Sequence, residues 1–420
     1  MTSPFKRVAV IGAGTMGHGI AQVTAAAGVP VALYDINQQA VDRGLAHIAK
    51  NLAKGVARGK VTEAAQAATL ANLRGSTDLE DATRGCDLVV EAIPEKLELK
   101  QDLFRRLAAF TAPTTVLGTN TSSISIARIA QAAQDPSRVI GLHFFNPVHI
   151  MKLLEVIQHP GTAPEVIEQV RAYGAAIRKT CVFVNDMPGF ATSRLGLTLG
   201  MEAIRMMHDG VASAEDIDAA MTLGYGHPMG PLKLTDIVGL DVRLHIGEYL
   251  ARELGNAAFE PPQLMRDMVA AGRLGRKSQQ GFYSWKDMAR GGPSPDSAPD
   301  VIEQVRAYGA AIAKSGAVDT TMPAFATARL GAALAMEAIR MVQDGVASAE
   351  GIDIAMNLGY RHPIGPLKLA DTVGLDVLMG IGEMLSGALG NPAFEPPQLM
   401  RDMVAAGKLG KSAGQGFYSW

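Results

Sequence analysis

The chain reads as an α/β protein: a doubly wound parallel sheet followed by two homologous all-helical domains. Three observations predict this. Short apolar runs alternate with helix-period segments over roughly the first 150 residues, and the pattern changes to helices alone after about residue 187. One block of about 122 residues is then written twice, at 164–285 and 299–420, with roughly 70% of paired positions identical and no gap. PEVIEQVRAYGAAI returns as PDVIEQVRAYGAAI, GHPMGPLKLTDIVGLDV as RHPIGPLKLADTVGLDV, and both copies close on QGFYSW. Only the first copy follows an α/β half. A residue serving a ligand there can drift in the second copy, while one serving the fold should stay.

The elements follow in order. RVAVIG, from Arg7 to Gly12, is a continuous apolar run ending in glycine, followed by a helix from about Met16 to Ala27, the run VALYD at 31–35 and a long helix from Gln38. Further strands are expected at 87–93, 115–120 and 138–145, with helices near 97–110 and 124–133. Strands separated by helices imply a parallel sheet wound on both faces. From MPGF onward, Phe190, Leu197, Met201 and Ile204 recur at helical spacing behind Pro188 and Gly189, so a long amphipathic helix is expected, then shorter ones to Trp285. KDMARGGPSPDSAP is rich in Gly, Pro and Ser and reads as a linker. The expected domains are 1–186, 187–285, a linker at 286–298, and 299–420 carrying the second helical copy.

Bulk properties narrow the class. At 420 residues, 48% hydrophobic and 19% charged, the chain is ordinary for a soluble protein of two or three domains. Its formal charge of -2 offers no basic excess for nucleic acid or an anionic membrane. Cys86 and Cys181 lie in different segments without CxxC or His/Cys spacing, so neither a disulfide framework nor a metal site is expected. The opening MTSPFKRVAVIGAG enters a strand at once, and no run approaches the length of a membrane span. A cytoplasmic protein is the expectation.

Gly12-Ala13-Gly14-Thr15-Met16-Gly17 stands where a strand stops and a helix starts. The first glycine permits the tight turn, the second lets backbone approach a pyrophosphate, and the third packs helix on strand, with free helix N–H groups facing phosphates. Asp35 ends the second strand, where a carboxylate accepts from a ribose 2′-hydroxyl and repels a 2′-phosphate. This is a Rossmann-type dinucleotide site, and the acid favours NAD over NADP.

His143-Phe144-Phe145-Asn146-Pro147 is followed by Glu155 in MKLLEVI. The first run ends at a pre-proline turn and the second is extended, so the chain goes out and back and can set Glu155 against the His143 ring. A carboxylate on one imidazole nitrogen fixes the tautomer and leaves the other free to take a proton. The alternative is a core histidine satisfied by a buried acid. Its position after a late strand, at the carboxyl edge where ligands bind, favours the base.

With these residues the chain resembles the L-3-hydroxyacyl-CoA dehydrogenase family, which includes 3-hydroxybutyryl-CoA dehydrogenases. The likeness runs from Val8 to Trp285 through GAGTMG, EAIPEKLELK, NTSS, HFFNPVHIMKLLEVI, MPGF, GHPMGPLKL and LGRKS-x-x-GFY. It implies a Rossmann-type domain, a helical domain, and NAD-linked interconversion of a (3S)-hydroxyacyl-CoA and a 3-oxoacyl-CoA, as in fatty-acid metabolism. By this resemblance His143 is the catalytic base, Glu155 its partner, and Ser122 of Asn120-Thr121-Ser122-Ser123 holds the substrate oxygen and touches the cofactor. Glu95, Lys100, Asn146 and Lys277 match cofactor-contact positions. The helical pair around 38–70, with Asn51, Lys54, Arg58 and Lys60, matches the coenzyme A clamp in character.

One departure concerns Ser193, where many members of the family have Asn. Its counterpart in the second copy is Ala328, as expected of a face with no ligand to bond, so Ser193 gains weight as a substrate contact. Gly189 becomes Ala324, Gly226 becomes Arg361, and Arg276-Lys277-Ser278 becomes Lys411-Ser412-Ala413, which removes the matched cofactor lysine. His227 and His362 are present in both copies and are expected in turns or caps. The second copy is expected to pack on the first as a stand-in for a partner subunit, giving a monomeric pseudo-dimer or a weak homo-oligomer. Two other readings share the architecture: a sugar-acid or β-hydroxyacid dehydrogenase, and a non-catalytic NAD-binding protein. The 6-phosphogluconate type normally uses a lysine on the interdomain helix, and residues 188–208 contain none.

Overall fold

The computed structural model describes residues 2–286 and 325–420. The linker beyond Lys286 and the opening of the second copy, to Ala324, lie outside the described residues. Two compact units result, Met1–Phe190 and Ala191–Trp420.

The first unit is an eight-stranded sheet of β1 (Val8–Ile11), β2 (Val31–Tyr34), β3 (Leu73–Ser76), β4 (Leu88–Glu91), β5 (Val116–Thr119), β6 (Val139–Phe144), β7 (Leu153–Gln158) and β8 (Thr180–Asn185), in the order β3-β2-β1-β4-β5-β6-β7-β8. Strands β1, β2, β4, β5 and β6 are buried along their length, which is why they read as unbroken apolar runs rather than alternating ones. Helices α1 (Thr15–Ala26), α2 (Gln38–Ala57), α3 (Glu63–Ala71), α4 (Leu79–Thr83), α5 (Leu97–Phe110), α6 (Ile126–Ala130) and α7 (Pro164–Ala176) make the connections. The doubly wound sheet has the expected parallel pairs and one antiparallel pair, β6 with β7, where the chain goes out and back between His143 and Glu155. Segment 145–152 is too short for a crossover helix, so the chain can only turn back.

The second unit is helical throughout. Its first copy contains α8 (Thr192–His208), α9 (Ala214–Ala219), α10 (Pro231–Val238), α11 (Leu240–Leu254) and α12 (Gln263–Ala270), and the second repeats them from Phe325–Gln343 to Gln398–Ala405. The long helix opens at Thr192, and Phe190 precedes it at φ 49°, so Phe190 does not share a helical face with Ser193. Buried aspartates explain why the closing QGFYSW occurs twice. Asp236 accepts from the Phe282 and Tyr283 N–H groups and the Trp285 indole, and Asp371 does the same for Phe417, Tyr418 and Trp420. Each copy thereby satisfies a buried carboxylate with its own last turn.

The copies pack on each other reciprocally. Arg194 pairs with Glu337 and, at 3.2 Å, with Asp344; Arg329 pairs with Glu202 at 2.5 Å and Asp209 at 3.1 Å. The Tyr225 hydroxyl donates to the Thr327 carbonyl at 3.0 Å, and a Cβ on Gly331 would fall 2.0 Å from that hydroxyl, as one on Gly196 would fall 1.9 Å from the Tyr360 hydroxyl. Phe325, Met336 and Ile339 are buried. His227 and His362 are more than turn residues: their rings stack on each other, centroids 3.5 Å apart and 16° from parallel. Each histidine occurs in both copies because each is the other's packing partner.

Candidate active site

The glycine turn is built as its residue types require. Gly12 has φ 102°, and a Cβ on it would lie 2.6 Å from the Ala92 carbonyl oxygen; one on Gly17 would lie 1.7 Å from that of Gly12. Neither position admits a side chain. Above Gly14 nothing stands within 4 Å, and α1 starts at Thr15 with no side chain capping its first turn. An open cradle against uncapped helix N–H groups fits a pyrophosphate. Thr15 is exposed and Met16 half-buried at this rim. Asp35 ties the turn to the end of β2 by accepting from the Ala13 N–H at 2.9 Å, with its other oxygen at 3.3 Å from the Asn37 N–H. His18, one turn into α1, has its Nδ1 2.7 Å from the Gly14 carbonyl and its ring 5.2 Å from that of His47.

His143 and Glu155 are direct partners in the β6/β7 register. A one-residue slip would put them on opposite faces. The antiparallel return therefore creates the pair: His143 Nδ1 lies 2.6 Å from Glu155 Oε2, the acid fully buried and the imidazole 8% exposed. With Nδ1–H donating to the carboxylate, Nε2 keeps its lone pair. The rings of Phe145 and Phe190 flank the imidazole at 4.5 and 6.2 Å. The loop between the two strands contains the cis Asn146–Pro147 bond and is held by Lys179, whose ammonium donates to the carbonyls of Val148 and Met151. Burial pushes the Lys179 pKa down to about 8. Asn146 is exposed at the start of this loop.

Ser122 sits just beyond the end of β5 on a polar network that centres on Glu95, whose side chain is 36% exposed. Glu95 Oε1 accepts from Thr121 Oγ1 at 2.5 Å, from the Ser122 N–H at 2.9 Å and from the Ser122 hydroxyl at 3.3 Å. Burial alone would raise the Glu95 pKa, but the Lys100 charge and these donors hold it below the usual carboxylate range. Lys100 lies under this network. Its side chain is 0% exposed, and its Nζ bonds Glu91 at 2.7 and 2.9 Å and Glu95 at 3.2 Å.

The other expected site residues are placed as follows. Asn51 on α2 donates to Gln22 of α1 at 3.3 Å, and Arg58, at the end of α2, is exposed. Ser193 and Lys277 belong to the second unit, where Ser193 is half-buried and its counterpart Ala328 fully buried. Lys277 pairs with Asp241 at 2.5 Å. The position shared by Gly226 and Arg361 has φ 66° and 58°, so the arginine occupies a conformation that favours glycine.

Three contributors went unread in the sequence. Asn120 accepts from the Phe144 N–H at 2.8 Å and so joins the Ser122 loop to the His143 strand. Asp186 holds the Ser125 hydroxyl and the Ile126 and Ala127 N–H groups at the start of α6. Glu91 was legible in principle, since a carboxylate inside the apolar run LVVE needs a buried partner.

Comparison with known proteins shows the family. Residues 7–187 match the family profile described as 3-hydroxyacyl-CoA dehydrogenase, NAD binding domain, and residues 189–285 and 325–420 both match the C-terminal domain of the same family. A probable 3-hydroxybutyryl-CoA dehydrogenase of Bacillus subtilis is 44% identical over 282 residues, 67% of this chain and 98% of the relative. The 3-hydroxyadipyl-CoA dehydrogenase of Escherichia coli is 34% identical over 94% of this chain and 96% of its own length. The crystal structure of a 3-hydroxybutyryl-CoA dehydrogenase from Escherichia coli superposes with a TM-score of 0.85 at 33% identity, covering 96% of this chain and 98% of that one. With both domain profiles matched in order and the helical one matched twice, the chain belongs to the 3-hydroxyacyl-CoA dehydrogenase family.

Proposed function

We propose that, in the NAD-dependent oxidation of a (3S)-3-hydroxyacyl-CoA to the 3-oxoacyl-CoA, His143 is the base and Glu155 the group that orients it. Bound NAD supplies the hydride acceptor for C3. In the oxidative direction His143 Nε2 takes the 3-hydroxyl proton, and in reverse the imidazolium returns it to the forming alkoxide. The imidazolium is stabilised by the buried carboxylate 2.6 Å from Nδ1. Such a positioned base contributes roughly 10² to 10⁴ in rate. Ser122 holds the substrate oxygen in line, while Asn51 and Arg58 meet the coenzyme A portion. The observation that carries this reading is the His143–Glu155 register pair at the carboxyl edge of the sheet.

His143→Ala tests it. Acetoacetyl-CoA reduction by NADH, followed at 340 nm, should fall by about 10² or more while NADH affinity stays within about threefold. Unchanged turnover would remove His143 from the mechanism. Free keto acids in place of the thioester separate a sugar-acid or β-hydroxyacid dehydrogenase from this reading. The relatives carry both 3-hydroxybutyryl and 3-hydroxyadipyl names, so a panel of acyl lengths with and without a terminal carboxylate defines the substrate range. The reciprocal packing of the helical copies supports a chain that works as a monomer, which light scattering of the intact protein checks.

A further inference from the structure

We infer that Lys100 is a positioning residue for Ser122, acting through Glu95. The inference rests on the reading of Ser122 as a substrate-oxygen contact. Glu91 is fixed first: it is fully buried and accepts from the Ile93 N–H at 2.7 Å, from Thr119 Oγ1 at 2.6 Å and from Lys100 on both oxygens. Four bonds to two oxygens suit an ionised carboxylate with one possible place for the ammonium. That ammonium, with no exposed surface, then holds Glu95 by Oε2 at 3.2 Å. Two carboxylates on one buried cation leave Glu95 charged and facing the Ser122 loop with its other oxygen.

Three donors converge on that oxygen. Thr121 Oγ1 at 2.5 Å and the Ser122 N–H at 2.9 Å fasten the loop, and Thr121 Oγ1 in turn accepts from the Ile124 N–H at 2.9 Å. The Ser122 hydroxyl lies 3.3 Å from the same oxygen, so the carboxylate that fastens the loop also sets where that hydroxyl stands. Lys100 thus fixes the place of the Ser122 oxygen without reaching it. A displacement of about 1 Å at such a donor can cost on the order of a hundredfold in rate.

Removing the lysine alone would strand Glu91 in the interior, so the informative variant is Glu91→Gln/Lys100→Met, which deletes the pair as a unit. Turnover with acetoacetyl-CoA and NADH, NADH binding by fluorescence, and secondary structure by circular dichroism are measured in it, in Ser122→Ala and in the combination. The expected result is a folded protein with kcat lowered about tenfold or more, NADH Kd within about threefold, and almost no added loss on the Ser122→Ala background. Glu95→Gln, which leaves the Glu91–Lys100 pair whole, should give the same non-additive loss. A fall in kcat that persists in full without the serine hydroxyl, or a rise in NADH Kd larger than the fall in kcat, overturns the inference and makes Lys100 a cofactor or purely structural residue. Wild-type turnover in Ser122→Ala alone would instead remove the reading of Ser122 itself, a result distinct from a serine-dependent rate indifferent to Lys100.

Discussion

Acidification should loosen the second unit through the stacked pair His227 and His362. Burial lowers the His227 pKa to about 4; burial, then the neighbouring His227, lowers that of His362 to about 2. Besides each other, the pair has the rings of Tyr225 and Tyr360 at 5.9 Å, and no carboxylate contributes to either shift. Both folded pKa values lie below the unfolded value of about 6.5, so between roughly pH 6.5 and 4 the unfolded chain binds more protons and stability falls as pH falls. At pH 5 each histidine costs ~1.5 pH units at 1.36 kcal/mol per unit, or about 2 kcal/mol, and the two together about 4 kcal/mol. Against a domain stability of about 5–15 kcal/mol this is a large share. Both tryptophans, Trp285 and Trp420, lie in this unit, so urea unfolding followed by tryptophan fluorescence at pH 7.5 and 5 reports it directly. His227→Phe/His362→Phe keeps two stacked rings without titratable nitrogens and should cut the pH-dependent loss by about 4 kcal/mol, with His362→Phe alone removing about half. An equal loss in wild type and double variant would refute the argument.

Two further outcomes are expected. Asp35→Ser should erode the preference for NADH over NADPH, read as the ratio of kcat/KM values, because the carboxylate that repels a 2′-phosphate is gone; an unchanged ratio would assign Asp35 only its bond to the Ala13 N–H. Arg329→Met should destabilise the second unit by about 3–5 kcal/mol, since it leaves Glu202 buried without that ion-pair partner between the copies; a change below about 1 kcal/mol would make the reciprocal pairs surface-like.

Much of the fold was legible because its signals are local. The glycine turn, the buried strands and the helical repeat each announce themselves within a short window, and the duplicated block gives the pairing of copies a visible cause. The antiparallel β7 was half legible: LLEVIQ reads as extended, but its direction follows from the length of the loop before it. The burial of Lys100 was not legible, because a lysine on a helix reads as exposed unless a buried acid is known to face it, and Glu91 lies on a different element.

The order of residues alone determined the dinucleotide turn, with Gly12 at positive φ and Gly17 closed to any side chain, and it determined that His143 and Glu155 could meet. Tertiary structure alone decided that they do meet in one register, that Lys100 serves Glu91 and Glu95, and that His227 stacks on His362. The physical reason is one of range. Backbone conformation and period are set by neighbours along the chain, whereas desolvation and ion pairing depend on which distant segments share the same few ångströms.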